Sequence, residues 1–187
     1  GNKNSPQHET FPCRPRSNYG LAKLKATKYL FKLGKKFNFP FIVLRLYQIY
    51  GPNQTINRLI PIAISSCLKD KRFACTSGTQ FRDYLYIDDL VNVIYEVTQK
   101  KLNGFNAFNI GGEIILIKQL GEKLIKIIGK GSVVVKNLPK EIENIDVKNY
   151  LFSDKKIKSI IGEIKLSDLY KNLNFTVKYF EEKLGKV

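Results

Sequence analysis

The spacing of apolar side chains switches several times between the helical and the extended period, and the switches outline an alternating α/β chain. Pro6, Pro12 and Pro15 belong to an extended leading loop, and Ser17 is placed to cap a helix over Asn18–Lys36. Lysines crowd the last turn of that helix, where they suit its carbonyl end, and Pro40 prevents it from continuing. Phe41–Tyr50 is apolar, partly β-branched and bounded by Pro40 and Gly51-Pro52, so it predicts one buried strand. A loop through Asn57 leads to a helix over Leu59–Lys69. Short strands are expected between Arg72 and Ile87, around a turn at Thr76-Ser77-Gly78-Thr79. Asp88-Asp89 predicts the cap of a helix reaching Lys101. Phe105–Ile110 reads as a short strand ending at Gly111-Gly112. Leu116, Leu120, Leu124 and Ile128 recur at helical spacing over Leu116–Ile128, and Val133–Val135 is a strand. Helices are expected over Asp154–Ile161 and Leu166–Glu182.

These elements share 187 residues, 43% of them hydrophobic and 26% charged, enough for a globular fold with a real core. No apolar run approaches the ~20 residues that span a bilayer, so no membrane partner is expected. Residues 1–6 lack the apolar stretch of a secretion signal and read as a chain entered mid-domain. Cys13, Cys67 and Cys75 match no metal-ligand spacing and read as reduced thiols of a cytoplasmic protein. The formal charge of +16 admits three origins: compositional drift, a diphosphate-bearing substrate, or nucleic acid. The lysines are spread rather than clustered, and no nucleic-acid-binding signature is present, so no nucleic-acid partner is expected.

The sharpest chemical feature is Tyr19-Gly20-Leu21-Ala22-Lys23 on the first helix. Residues four apart share a helix face, so the Lys23 ammonium can stand near the Tyr19 phenol. A phenol works as a base near neutrality only when a neighbouring cation favours its ionised form. Taken alone, the pair also fits an ordinary surface or packing role. Its context narrows the choice. Glu9-Thr10, Pro12, Pro15 and Ser17 precede it, and Leu44-Arg45-Leu46 with Tyr50-Gly51-Pro52 and Gln54 follow. Next come Gly78, Gln80 and Arg82-Asp83-Tyr84-Leu85-Tyr86-Ile87-Asp88-Asp89, then Phe108-Asn109-Ile110-Gly111-Gly112.

In that order and at those intervals the chain resembles the extended short-chain dehydrogenases/reductases, the NAD(P)-dependent nucleotide-sugar epimerases and dehydratases, over their second half. The resemblance implies an α/β fold: the second half of a Rossmann-type parallel sheet with a smaller α+β substrate-binding lobe. Segments 1–51 and 88–116 would form the sheet half, with Phe41–Tyr50 parallel to Phe105–Ile110, and 52–87 with 117–187 the lobe. It implies an enzyme that uses NAD or NADP to modify a nucleoside-diphosphate sugar by C4 epimerisation, 4,6-dehydration or 4-keto reduction, as a homodimer when complete. Tyr19 would be the acid/base. Lys23 would favour the tyrosinate and bond the nicotinamide ribose. Gln48 stands where many members have Asn facing the sugar nucleotide. Arg82 would grip the diphosphate, or else pair with Asp83 or Asp88. Asn57 would pass near the sugar nucleotide, or serve as a turn residue.

Several family features are absent. Neither Gly111-Gly112 nor Gly129-Lys130-Gly131-Ser132 completes a dinucleotide or phosphate-binding turn. A second phosphate-binding Arg is missing from Glu143-Asn144-Ile145-Asp146, where Lys140 is the nearby substitute. A basic binding module for nucleic acid, or a relict that binds sugar nucleotide without catalysis, remains the alternative reading.

Overall fold

A computed structural model describes residues 6–75, 78, 80–136 and 151–184. Thr76, Ser77 and Thr79 of the expected turn, Lys140 and segment 143–146 lie outside the described residues. The architecture is α/β with parallel strand pairs, as expected.

Helix α1 (Asn18–Phe37) begins where the sequence places it: the Ser17 hydroxyl accepts the Gly20 N–H at 3.1 Å. It ends at Asn38, whose left-handed φ of 51° lets the chain reverse before Pro40. Strand β1 (Phe41–Leu46) pairs in parallel with β5 (Phe105–Ile110), from Phe41 opposite Phe105 to Leu46 opposite Ile110. The single strand expected over Phe41–Tyr50 is in fact two. Tyr47 interrupts it, and β2 (Gln48–Tyr50) pairs in parallel with β4 (Phe81–Tyr86) instead. The break has a local cause. The Ile49 N–H donates to the Tyr47 carbonyl at 3.0 Å, a three-residue turn that swings the chain to a new neighbour. The Tyr47 ring stacks on Phe152, with ring centroids 3.5 Å apart.

Helix α2 (Leu59–Leu68) follows, then β3 (Arg72–Cys75), β4 and α3 (Ile87–Thr98). Strand β6 (Glu113–Leu116) was not anticipated: it pairs antiparallel with β4, and helix α4 (Ile117–Ile128) starts only after it. The strand is too short to show a period of its own. Its existence depends on the close turn at Gly111-Gly112, where a side chain on Gly112 would collide with the Tyr84 carbonyl oxygen. Strand β7 (Ser132–Val135) runs parallel to β3, and helices α5 (Lys155–Ile161) and α6 (Leu169–Leu184) close the chain.

Strand β4 separates two cores, because alternate side chains of a strand face opposite sides. Tyr84 and Tyr86 join Ile60, Ile64, Leu120, Leu124, Leu173 and Phe180 between α2, α4 and α6. Leu85 joins Leu90, Val93, Val97, Phe108, Ile110 and Ile157 between α3, α5 and β5. The Asp88-Asp89 pair does not cap α3, which starts earlier at Ile87 with Tyr86 as its N-cap. Asp89 is buried, and its carboxylate accepts the Ser167 N–H at 3.2 Å and the Ser167 hydroxyl at 2.8 Å.

Neither α1 nor β1 contains a fully buried residue, although both are rich in apolar side chains. Tyr29 and Phe37 are 62% and 61% exposed. Beyond β5, no strand among the described residues pairs with β1. Unpaired strand edges and contiguous apolar surface favour association. The isolated chain is therefore expected to self-associate at micromolar concentration. Sedimentation velocity checks this, and a monodisperse monomer would contradict it.

Candidate functional site

The leading loop is tied down before it reaches α1. Gln7 bridges to Phe152, with its N–H donating to the Leu151 carbonyl at 2.9 Å and its carbonyl accepting the Ser153 N–H at 2.8 Å. The Glu9 carboxylate accepts the Asn109 N–H at 2.8 Å, and Asn109, 2% exposed, donates its side-chain amide to the Gln7 carbonyl. These contacts pin the loop across the C-terminal end of β5, so the Ser17 cap and the residues after it start from a set position.

Tyr19, in the first turn of α1, lies 73% exposed on the rim of a cleft of about 640 Å³. Lys23 follows one turn later, with Nζ 5.5 Å from the Tyr19 ring centroid. The cleft runs along Leu46–Gln54 and is lined by Gln48, Tyr50, Asn53, Gln54 and Arg58 besides Tyr19. Its position follows from topology: β2 leaves the sheet here, at the C-terminal ends of parallel strands, where α/β folds accommodate ligands.

Of the expected site residues, the cleft brings together Tyr19 and Gln48. Lys23 stands just behind Tyr19. Asn57 is exposed and accepts the Thr55 hydroxyl at 3.0 Å, the arrangement of a turn residue. Arg82 is half-buried near the start of β4, where its Nη1 donates to the Phe81 carbonyl at 3.0 Å. Neither Asn57 nor Arg82 lines the cleft. Its guanidinium is that of Arg58, which precedes α2.

The Gly51–Gln54 segment is a tight turn. The Gln54 N–H donates to the Gly51 carbonyl at 3.4 Å, and Asn53 has a φ of 61°. Pro followed by a left-handed residue is the pattern of a type II turn, in which Asn is tolerated. The Tyr179 hydroxyl of α6 donates to Asn53 Oδ1 at 3.1 Å, tying the turn to a residue 126 positions away. Gly-Pro-Asn-Gln carried the local signal for this turn. No spacing could have named Tyr179.

The phenols near the cleft are not equivalent. Burial pushes the Tyr50 phenol well above its ordinary range, partly offset by a hydrogen bond from Asn172. Burial also pushes Tyr84 up to about 12. Both stay protonated at neutral pH, while Tyr19, exposed on the cleft beside Tyr47 and Tyr50, has a lysine ammonium one turn away.

The residues suited to a dinucleotide are limited. A side chain at Gly111 would collide with the Phe152 ring, and one at Gly112 with the Tyr84 carbonyl. This glycine turn is filled by the protein itself and leaves no cradle for a pyrophosphate. Among the described residues no cluster of His, Cys, Asp and Glu could hold a metal ion, and no helix is long and apolar enough to cross a membrane.

The chain is 32% identical over 123 residues to a dTDP-D-glucose 4,6-dehydratase of Bos taurus, covering 64% of this chain and 34% of that protein. It superposes with a TM-score of 0.84 and 27% identity on the UDP-glucuronic acid 4-epimerase of Bacillus cereus, solved with UDP-glucuronic acid and NAD. That match covers 98% of this chain and 58% of the epimerase. The UDP-glucose 4-epimerase of Thermotoga maritima, solved with UDP-glucose, gives a TM-score of 0.78 at 28% identity, over 91% of this chain and 55% of that one. The chain thus spans about one third of the curated relative's length and rather more than half of the solved epimerases. Residues 1–111 match the family model of the NAD dependent epimerase/dehydratase family. With its parallel α/β fold and its cleft at the strand ends, the chain belongs to that family.

Proposed function

We propose that this chain forms the sugar-binding and acid/base part of an NAD- or NADP-dependent enzyme that modifies a nucleoside-diphosphate sugar at C4, by epimerisation, 4,6-dehydration or 4-keto reduction. The observation that carries the reading is Tyr19, exposed on the rim of the cleft with Lys23 one turn behind it. A bound nicotinamide supplies the hydride acceptor. Tyr19 takes the proton from the sugar hydroxyl as the carbonyl forms and returns one on re-reduction. Lys23 places its ammonium 5.5 Å from the Tyr19 ring centroid, on the same helix face. Arg58 on the cleft and Arg82 on β4 are the guanidinium groups suited to the diphosphate, and Gln48 contacts the sugar nucleotide. Segments 1–51 and 88–116 act as the dinucleotide-side half and 52–87 with 117–187 as the substrate lobe, although Leu85 and Ile157 of the lobe segments pack in the core of the other half. The exposed face of α1 suits a homodimer contact, and the free thiols Cys13, Cys67 and Cys75 suit the cytoplasm.

The isolated chain is expected to bind UDP or a UDP-sugar weakly, with Kd on the order of a millimolar, and to hold NAD more weakly still. One guanidinium–phosphate contact contributes roughly 1.5–3 kcal/mol and a millimolar Kd needs ~4 kcal/mol, so the remainder comes from the other groups lining the cleft. Calorimetric titration with UDP, UDP-glucose, NAD and NADP tests this. Micromolar NAD binding, or salt-sensitive binding to mixed-sequence DNA in place of UDP, would overturn the reading.

A further inference from the structure

Helix α1 is held unevenly. Its second half packs on the sheet, where the Phe31 ring meets Phe105 edge-on at 5.0 Å. No residue of α1 belongs to either core, and none is fully buried. The first turn, which carries Tyr19, rests on what precedes it. Ser17 caps it, and Pro15 Cβ would stand 3.2 Å from a side chain added at Gly20. The position of this turn therefore depends on where the leading loop is tied. The tie is one rung of the sheet. Arg45 of β1 and Asn109 of β5 are partners in the parallel register. The Asn109 N–H donates to Glu9 Oε1 at 2.8 Å, and Arg45 Nη1 donates to the Glu9 carbonyl at 3.4 Å. Asn109 Nδ2 also donates to the Gln7 carbonyl at 3.2 Å. Glu9 thus spans both strands near their C-terminal ends, with its carboxylate in a charge-assisted bond. Pro12 and Pro15 restrict the backbone between Glu9 and Ser17, so a shift at the rung is carried to the helix.

We propose that Glu9 is a positioning residue for proton transfer at Tyr19. Its carboxylate, held on the Arg45–Asn109 rung, sets where α1 begins and so where the phenol meets the sugar hydroxyl. The inference rests on the acid/base reading of Tyr19 and adds to it the group that aims the phenol. Proton transfer needs donor and acceptor within about 2.6–3.2 Å of each other. A displacement of about 1 Å at the reacting atoms costs on the order of 10²-fold in rate. Gln48 lies on β2 and Arg58 precedes α2, both outside the loop, so substrate binding does not depend on Glu9.

Two measurements test this. The first is amide hydrogen exchange in the chain itself. Gly20 and Leu21 donate their N–H groups to Ser17. Glu9→Ala should speed exchange at both by about 10-fold or more and leave the buried helix α4 unchanged. The second uses an active enzyme that contains this chain. Glu9→Ala should lower kcat about 10- to 100-fold and change KM by no more than a few fold. Glu9→Gln, whose amide oxygen still accepts the Asn109 N–H, should recover most of the loss. In a Tyr19→Phe background, Glu9→Ala should lower kcat no further, because no phenol is left to aim. A merely structural role would lower both backgrounds alike. Unchanged exchange in the first turn of α1, faster exchange in α4 as well, unchanged kcat in Glu9→Ala, or additive losses would each overturn the assignment. Should Glu9→Ala fail to fold, Glu9→Asp, with the same charge and one methylene less reach, takes its place under the same outcomes. Near-normal turnover in Tyr19→Phe alone would overturn the acid/base reading itself, and this assignment with it.

Discussion

Tyr19→Phe, made in an active enzyme that contains this chain, is expected to lower kcat by a factor on the order of 10²–10⁴, the usual range for a positioned acid/base. The substitution removes one hydroxyl from a side chain that is largely exposed, so folding and the shape of the cleft should persist. The buried phenols Tyr50 and Tyr84 cannot take over. Burial holds the Tyr50 and Tyr84 protons in place at neutral pH, and both side chains are packed in the core between α2, α4 and α6. Substrate affinity should change by no more than a few fold, because the proton is transferred in the reaction and not on binding. Steady-state kinetics with separate kcat and KM values check both halves of the statement. Near-normal turnover in Tyr19→Phe would remove Tyr19 from the catalytic role.

Stability should fall by about 2–3 kcal/mol between pH 4 and pH 6.5 because of one carboxyl group. Asp83 is 3% exposed on β4, where it accepts the Gly112 N–H at 2.6 Å. Burial, reinforced by the negative charge of Asp154 and opposed by the Gly112 hydrogen bond, raises its pKa from the ordinary 3.8 to about 6. In that interval the folded chain holds a proton that the unfolded chain has released. The contribution of the group is therefore greatest below pH 3.8 and is lost as pH rises through about 6, at ~1.36 kcal/mol per pH unit. Asp83→Asn keeps an oxygen for the Gly112 N–H and cannot ionise. It should raise stability at pH 7 by about 2–3 kcal/mol and have little effect at pH 4. Denaturant unfolding of both proteins across this range measures the difference. Parallel pH profiles would show that the Asp83 carboxyl ionises in the folded chain as readily as in the unfolded one.

Asp83 also illustrates what a motif conceals. Within Arg82-Asp83-Tyr84-Leu85-Tyr86 the eye goes to Arg82 as a phosphate ligand, yet Asp83 ties β4 to the turn between β5 and β6. The Asp88-Asp89 pair has the local signature of a helix cap. It lies inside the first turn because α3 starts at Ile87, and Asp89 spends its carboxylate on Ser167, 78 residues away.

What the sequence determined by itself was whatever depends on neighbours a few residues apart. The apolar periods set the helices α1, α2, α3 and α4 to within a few residues, and Ser17 marked the start of α1. Spacing of four put Lys23 one turn behind Tyr19, and that holds whatever surrounds the helix. The ordered motifs implied a Phe41–Tyr50 strand parallel to Phe105–Ile110, and the structure contains that pairing over Phe41–Leu46. Only the tertiary structure decided where the chain leaves one strand neighbour for another. Tyr47 lies in a mostly apolar run, and the split into β1 and β2 at the turn there shows only in which strands the two halves pair with, β5 and β4. Tertiary structure also decided which polar groups meet. Arg82 stands apart from the cleft while Arg58 lines it, Tyr179 holds Asn53, and Gln54 is left with an unpaired oxygen. Such pairings bring together residues up to 126 positions apart, and no local period carries that information.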